Sequence, residues 1–132
     1  MARVVVFTAD LMFGSRVHAQ LVAAGHTVDL LSDPAALPTL LTSARVLIVD
    51  LTDEDYGGLS LMESLSSQES LSLHGSLAGV GTLAFYSHVD VQTRVRAEGA
   101  GFDMVVPRSR MAREGAALVA KLVQARDQRA SR

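Results

Sequence analysis

Three charged side chains occupy places in the sequence where chemistry could be carried out: Asp10, Asp50 and Arg108. Each follows, within a few residues, a short apolar run of the kind that forms a buried strand. In an open parallel sheet, ligands and reactive groups collect at the carboxyl ends of the strands. The three side chains are therefore expected at one edge of a sheet.

The two aspartates predict a site for a hard cation if their strands are neighbours. Two carboxylates that face one another repel unless a divalent cation or Arg108 lies between them. The acidic run at 53–55 deepens the negative field at the same edge. A simpler interpretation stays open, in which Asp10 caps a helix and Asp50 caps the loop after its strand.

Apolar runs alternate with helical patterns along the chain, which predicts a parallel sheet covered by helices on both faces. Helical spacing of Phe13, Val17, Leu21 and Val22, followed by Gly25, indicates the first helix. Further helices are expected from Pro34, from 59 to about 65, over 89–98, and in a last segment that ends in a polar tail from about residue 124. The predicted strands cover 3–8, 27–31, 45–50, 81–86 and 103–106.

Composition favours one α/β domain over residues 1–132, because domains cluster near ~100–150 residues. The chain contains no cysteine, so thiolate chemistry and disulfides are excluded. No apolar run reaches the ~18 residues that span a bilayer, and no signal peptide precedes the first strand. The expected location is the cytoplasm.

Several motifs together resemble response-regulator receiver domains over nearly the whole chain. VLIVDLTD (46–53) is similar to the third strand of that family, FYSHVD (85–90) to its strand-four segment, and AGFDMVVPRS (100–109) to the segment that ends in the family's lysine. The resemblance implies a three-layer αβα sandwich with a five-stranded parallel sheet in the order 2-1-3-4-5. It also implies that Asp50 is the phospho-acceptor and that Asp10, Asp50 and Thr52 are ligands of magnesium.

The sequence departs from the receiver pattern at three positions of the expected site. Ala9 stands where the family has the first of two adjacent acids, and the switch hydroxyl falls on Tyr86, with Ser87 as the alternative. Arg108 replaces the lysine, and its planar fork is not equivalent to a compact ammonium. These departures favour a stand-alone pseudo-receiver that acts through protein contacts rather than catalysis. The alternative is a magnesium-dependent receiver that a histidine kinase phosphorylates at Asp50.

Partners and other functions follow from the same patterns. The resemblance implies a signalling protein as partner and a homodimer through the helix at 89–98, the fifth strand and the last helix. From Arg108 onward seven Lys/Arg stand against two acids, so binding of nucleic acid is the alternative to a solvated basic face.

Gly14 in the first helix leaves open a nucleotide- or cofactor-binding module, although an aspartate at the helix start disfavours phosphate. His88 could relay phosphate or sense pH, or be a loop histidine without a special role. Tyr56 could cover the pocket or pack on the third helix, and the serine- and leucine-rich segment 59–77 is assigned no role.

Overall fold

The computed structural model describes residues 2–52, 58, 61–63, 79–87 and 91–130. Its strands are β1 (Arg3–Phe7), β2 (Thr27–Leu31), β3 (Val46–Asp50), β4 (Gly81–Tyr86) and β5 (Met104–Pro107). The helices are α1 (Leu11–Ala23), a 3-10 turn (Pro34–Ala36), α2 (Leu37–Leu41), α3 (61–63), α4 (Val91–Gly99) and α5 (Arg108–Ala130). The five predicted strands are confirmed, each to within a residue at either end.

All five strands lie parallel in one sheet, in the order β2-β1-β3-β4-β5. The predicted fold class and strand order are therefore confirmed. The order reverses between β1 and β3, so the carboxyl ends of these two strands border the crevice where parallel sheets place their functional groups.

Helices pack on both faces of the sheet because buried strands present apolar side chains alternately to each side. Val4 and Val6 of β1 face α1 and α5, whereas Val5 and Phe7 face α2, α3 and α4. The first face also buries Phe13, Val17, Leu21, Ile48, Leu83, Phe85, Met111, Leu118, Val119 and Leu122. The second also buries Leu37, Leu41, Leu47, Val49, Met62, Ala84, Tyr86, Ala97 and Phe102.

Residue types at the ends of α1 explain its limits. The Asp10 side chain caps the amino end by accepting a hydrogen bond from the Phe13 N–H, and Gly25 follows the helix with a φ of 96°. Val22 was predicted on the buried face with Leu21, but 48% of its surface is exposed, so the core-facing stripe consists of Phe13, Val17 and Leu21.

The carboxyl end of the chain differs from the prediction. The sequence predicted a fraying tail from about Gln124, whereas α5 continues to Ala130. Alanine, glutamine and arginine favour helix, which outweighs the lack of apolar residues there. The Asp127 carboxylate also accepts a hydrogen bond from the Arg45 side chain, which anchors this last part of α5 to the start of β3.

Two other expectations concern less regular parts of the chain. The helix predicted over 89–98 is α4, and Gly101 after it has a φ of 101°, as a glycine stop requires. In the segment 59–77, residues 61–63 are helical as predicted, and the other residues of the segment lie outside the described part. No helix in the described ranges is long and apolar enough to cross a membrane.

Candidate functional site

Asp50, at the carboxyl end of β3, is buried with 5% of its surface exposed. Its Oδ2 accepts a 2.6 Å hydrogen bond from the Thr8 hydroxyl, and its Oδ1 accepts one of 2.8 Å from the Thr52 N–H. A buried carboxylate needs such donors, because burial without them is costly. Both oxygens of the predicted phospho-acceptor are thus occupied by groups of the protein itself.

Asp10 and Arg108 form an ion pair at the same edge of the sheet. Arg108 Nη2 lies 2.7 Å from Asp10 Oδ2, and the guanidinium lies 4.1 Å above the ring of Phe13. An aromatic face attracts a cation, so the Phe13 ring adds to the hold on Arg108. The Phe13 N–H bond first, and then the Arg108 guanidinium, hold the pKa of the Asp10 carboxyl below its ordinary value.

A hydrogen-bonded path links the ion pair to the buried carboxylate. The Asp10 N–H donates to Thr8 Oγ1 at 3.0 Å, and the same hydroxyl donates onward to Asp50. Both capping roles suggested by the sequence are observed: Asp10 caps α1, and Asp50 caps the turn at Thr52. Arg108 neutralises the charge of Asp10.

Thr8 is the site residue that sequence reasoning missed. The departure from the receiver pattern was placed at Ala9, yet the side chain that contacts Asp50 belongs to Thr8, which is fully buried. A signal was present in the sequence, since Thr8 is the first polar residue after the apolar run Val4–Phe7 and β1 was predicted to include it. What the sequence lacked was the register of β1 on β3, where Phe7 pairs with Val49.

Tyr86 and Ser87, the two candidates for the switch position, lie on different sides of the sheet. Asp50 pairs with Phe85 in the register of β3 and β4, so Asp50 and Phe85 point to the α1 and α5 side. Tyr86 is buried on the opposite side with Val49. The structure therefore does not bring Tyr86 to Asp50; Ser87, which is exposed, has the same parity as Phe85.

Two glycines allow helices to approach this site closely. A Cβ on Gly14 would lie 2.8 Å from Thr8 Cγ2 and 2.9 Å from Leu30 Cδ1, so Gly14 makes room for the contact of α1 with Thr8. A Cβ on Gly58 would lie 2.7 Å from the backbone oxygen of Asp50. Gly14, which suggested a nucleotide-binding module in the sequence, thus serves the packing of helix on sheet.

The carboxylates predicted as magnesium ligands are engaged with groups of the chain itself. Four carboxylate oxygens are present, and each is bonded to an N–H, a hydroxyl or a guanidinium of the chain. No group of three or more acids or histidines that could hold a metal occurs within the described ranges. Thr52, predicted as a ligand through its carbonyl, has a buried hydroxyl with no partner among the described residues. The acidic run 53–55, Tyr56 and His88 lie outside these ranges.

Comparison with known proteins gives matches at the level of structure only. The sequence matches no family model and no curated protein. A CheY-like receiver domain from Methanospirillum hungatei is 13% identical, with 98% of each chain covered and a TM-score of 0.77. A Burkholderia pseudomallei protein thought to be related to pilus assembly is 20% identical, with 94% of this chain and 90% of that chain covered and a TM-score of 0.71.

A third solved structure, a Burkholderia pseudomallei response regulator, contains a phosphorylated aspartic acid, a calcium ion and citrate. It is 18% identical, with 81% of this chain and 59% of that chain covered and a TM-score of 0.66. The strand order, the two helical layers and these similarities agree. The chain has the flavodoxin-like fold of response-regulator receiver domains.

Proposed function

We propose that this chain is a receiver-like signalling domain that is held in one state by its own side chains and acts through protein contacts, without phosphorylation of Asp50. The observation that carries the proposal is the ion pair of Arg108 with Asp10. The proposed domain is cytoplasmic, and it is not an enzyme.

The surroundings of Asp50 support this proposal. A carboxylate that attacks a donor phosphorus must present a free oxygen, and access is small for a residue with 5% of its surface exposed. Phosphorylation would break the hydrogen bond from Thr8 or the one from Thr52. It would also place a dianionic group close to the Asp10 carboxylate, and like charges repel.

The position of Arg108 supports it as well. In a phosphorylatable receiver the cation at this position would grip the phosphoryl group. Here the guanidinium is neutralised by Asp10 and stacked on Phe13. An internal carboxylate thus provides the negative charge that a phosphoryl group would bring.

The alternative function is that of a phosphorylatable receiver with a histidine kinase as partner. It is favoured by the place of Asp50 at the carboxyl end of the central strand β3 and by the phosphorylated aspartic acid of the similar Burkholderia response regulator. In this alternative, magnesium would be held by Asp10, Asp50 and Thr52, after Asp10 leaves Arg108.

An NMR titration separates the two functions. Backbone amide spectra of the wild type and of Asp50→Ala are recorded with magnesium and then with beryllofluoride, which imitates an aspartyl phosphate. We expect no saturable shifts at Asp10, Thr8, Asp50 or Arg108 in either protein. Saturable shifts in the wild type that are lost in Asp50→Ala would establish the phosphorylatable alternative and overturn the proposal.

Protein contacts are assigned to a face formed by α4, the edge strand β5 and α5, called the α4–α5 face below. Val91 and Val95, one helical turn apart on α4, have 69% and 60% of their surfaces exposed. Arg110 and Arg113 of α5, which share Glu114 as ion-pair partner, contribute a net positive charge to this face. We infer that this face binds a second copy or a signalling partner; binding of nucleic acid by the basic residues is the lesser alternative.

Sedimentation tests the homodimer. Val95→Lys places a charge on the α4–α5 face, and Val22→Lys, at an exposed valine on α1, is the matched control. We expect the wild type and Val22→Lys to sediment as dimers at high concentration and Val95→Lys as a monomer. A monomeric wild type would overturn the homodimer and leave a different protein as partner, and a salt-sensitive gel shift with DNA would favour nucleic acid instead.

A further inference from the structure

The side chain of Gln20 reaches from α1 into the backbone of α5. Its Nε2 donates a 3.0 Å hydrogen bond to the carbonyl oxygen of Ala112, and its Oε1 accepts a 2.7 Å hydrogen bond from the N–H of Ala116. The amide orientation follows from these partners, since the carbonyl can only accept and the N–H can only donate. Gln20 is thus bonded to two backbone groups of another helix.

These two backbone groups would ordinarily pair with one another. In an α-helix the N–H of each residue bonds to the carbonyl four residues earlier, and Ala116 stands four residues after Ala112. The Gln20 amide bridges that donor and that acceptor. α5 continues as one helix through this point, so the Gln20 amide binds along its side.

Gly115 provides the space for the Gln20 amide beside α5. A Cβ at this position would lie 2.8 Å from Gln20 Oε1 and 2.9 Å from Met111 Cε. Glycine is a poor residue for a helix interior, so its presence inside a 23-residue helix calls for a packing reason. The amide of Gln20 is that reason.

The two helices are joined at a second point, where Asp10 at the start of α1 binds Arg108 at the start of α5. Ala112 lies one turn after Arg108, so the hydrogen bonds of Gln20 hold the segment of α5 that carries Arg108. We propose that Gln20 is a positioning residue that sets the place of the first turns of α5 on α1 and thereby holds Arg108 at Asp10, with Gly115 leaving room for its amide. This inference rests on the proposed function, which depends on that ion pair.

NMR of the full chain tests the role of Gln20. Gln20→Met keeps the length of the side chain and removes both hydrogen bonds, and Gln124→Met, at an exposed glutamine of α5, is the matched control. We expect Gln20→Met to shift the Ala116 amide resonance and to move the Arg108 Nε–H resonance toward its position in Asp10→Asn. Resonances of β1 and β3 stay in place, and Gln124→Met leaves Ala116 and Arg108 unchanged.

A second variant covers the case in which Gln20→Met does not fold. Gly115→Ala retains Gln20 but puts a methyl group where the amide lies, and alanine favours helix. It is expected to shift the Arg108 resonance in the same direction, whereas Gly99→Ala, at a helical glycine with open space, does not. An Arg108 resonance that stays in place while the Ala116 amide shifts would overturn the inference. Neither readout uses magnesium or beryllofluoride. This inference can therefore fail without the proposed function failing, and the proposed function can fail while this inference stands.

Discussion

The hydroxyl of Thr8 lies 2.6 Å from Oδ2 of Asp50 and joins the carboxyl ends of two neighbouring strands, β1 and β3. Through its other hydrogen bond, from the Asp10 N–H, the same hydroxyl connects the buried carboxylate with the ion pair at the surface. One threonine therefore links the two halves of the candidate site. The first two predictions concern this residue.

Thr8→Val is expected to lower the free energy of unfolding by about 1–3 kcal/mol, because a nearly isosteric side chain leaves one oxygen of the buried Asp50 without its donor. Urea unfolding at neutral pH measures the change. Thr39→Val, at an exposed threonine of α2, serves as the control and should stay within about 0.5 kcal/mol of the wild type. Equal stability of the two variants would show that the 2.6 Å contact contributes nothing.

Thr8→Asp is expected to make the protein sensitive to magnesium. A second carboxylate against Asp50 raises the electrostatic repulsion, which a divalent cation relieves by binding both groups. We expect a lower melting temperature without magnesium and an increase when millimolar magnesium is added. The wild type, with Thr8 in place, should show no such increase in calorimetry.

The double variant Thr8→Asp with Asp50→Asn is the control for that experiment, since it retains only one of the two carboxylates that face each other at positions 8 and 50. If it responds to magnesium as strongly as Thr8→Asp alone, the cation binds elsewhere and the prediction is wrong.

Asp10→Asn is expected to destabilise the protein at neutral pH but not in acid. The folded protein lowers the pKa of the Asp10 carboxyl, so the ionised form contributes stability above the ordinary pKa of an aspartate, and this contribution is lost as the pH falls through the lowered value. Asparagine still caps a helix, so the substitution removes the charge and the hydrogen bond with Arg108 while the cap can remain. We expect a difference of about 0.5 kcal/mol at neutral pH, small because the pair is partly exposed, which shrinks below about pH 4.

Urea unfolding at several pH values measures this difference, and added salt should reduce it at neutral pH. Asp33→Asn is the comparison, because Asp33 caps the 3-10 turn and has no arginine partner in the described part of the chain. A difference for Asp10→Asn that is independent of pH would contradict the assigned cause.

Gly58→Ala is expected to destabilise the fold, since the added methyl group would meet a backbone oxygen of Asp50 at 2.7 Å and Val49 Cγ1 at 3.0 Å. Overpacking of this kind typically costs about 1–3 kcal/mol. Gly99→Ala, in open space at the last residue of α4, should instead stabilise by about 0.4–1 kcal/mol by reducing the entropy of the unfolded chain. Thermal unfolding of both variants measures the opposite signs.

The sequence was sufficient for the sheet because each strand is a short apolar run bounded by a clear stop. The end of α5 was predicted less well, since residues 124–130 lack the apolar periodicity on which the prediction relied and are held by helix propensity and by the contact of Asp127 with Arg45. Periodicity reports burial, and this segment is a helix with little of its surface buried.

At the site, residue types were predictable and partnerships were not. The spacing of Asp10, Asp50 and Arg108 predicts that they lie at one edge of the sheet, and Arg108 there pairs with Asp10. The contact of Thr8 with Asp50 depends on the register of β1 on β3. The face of the sheet on which Tyr86 lies depends on the register of β3 on β4. Gln20 bonds to Ala112 and Ala116, which follow it by 92 and 96 residues in the sequence. No local sequence pattern indicates a contact over such a separation.

The ion pair of Asp10 with Arg108 has a consequence for how such a domain would carry information. A carboxylate supplied by the chain is always present, so neither a donor of phosphate nor a phosphatase changes its level. Under the proposed function, the cell would change the signal only by making or degrading the protein, or by supplying its partner. The quantity that the domain reports would then be its own abundance.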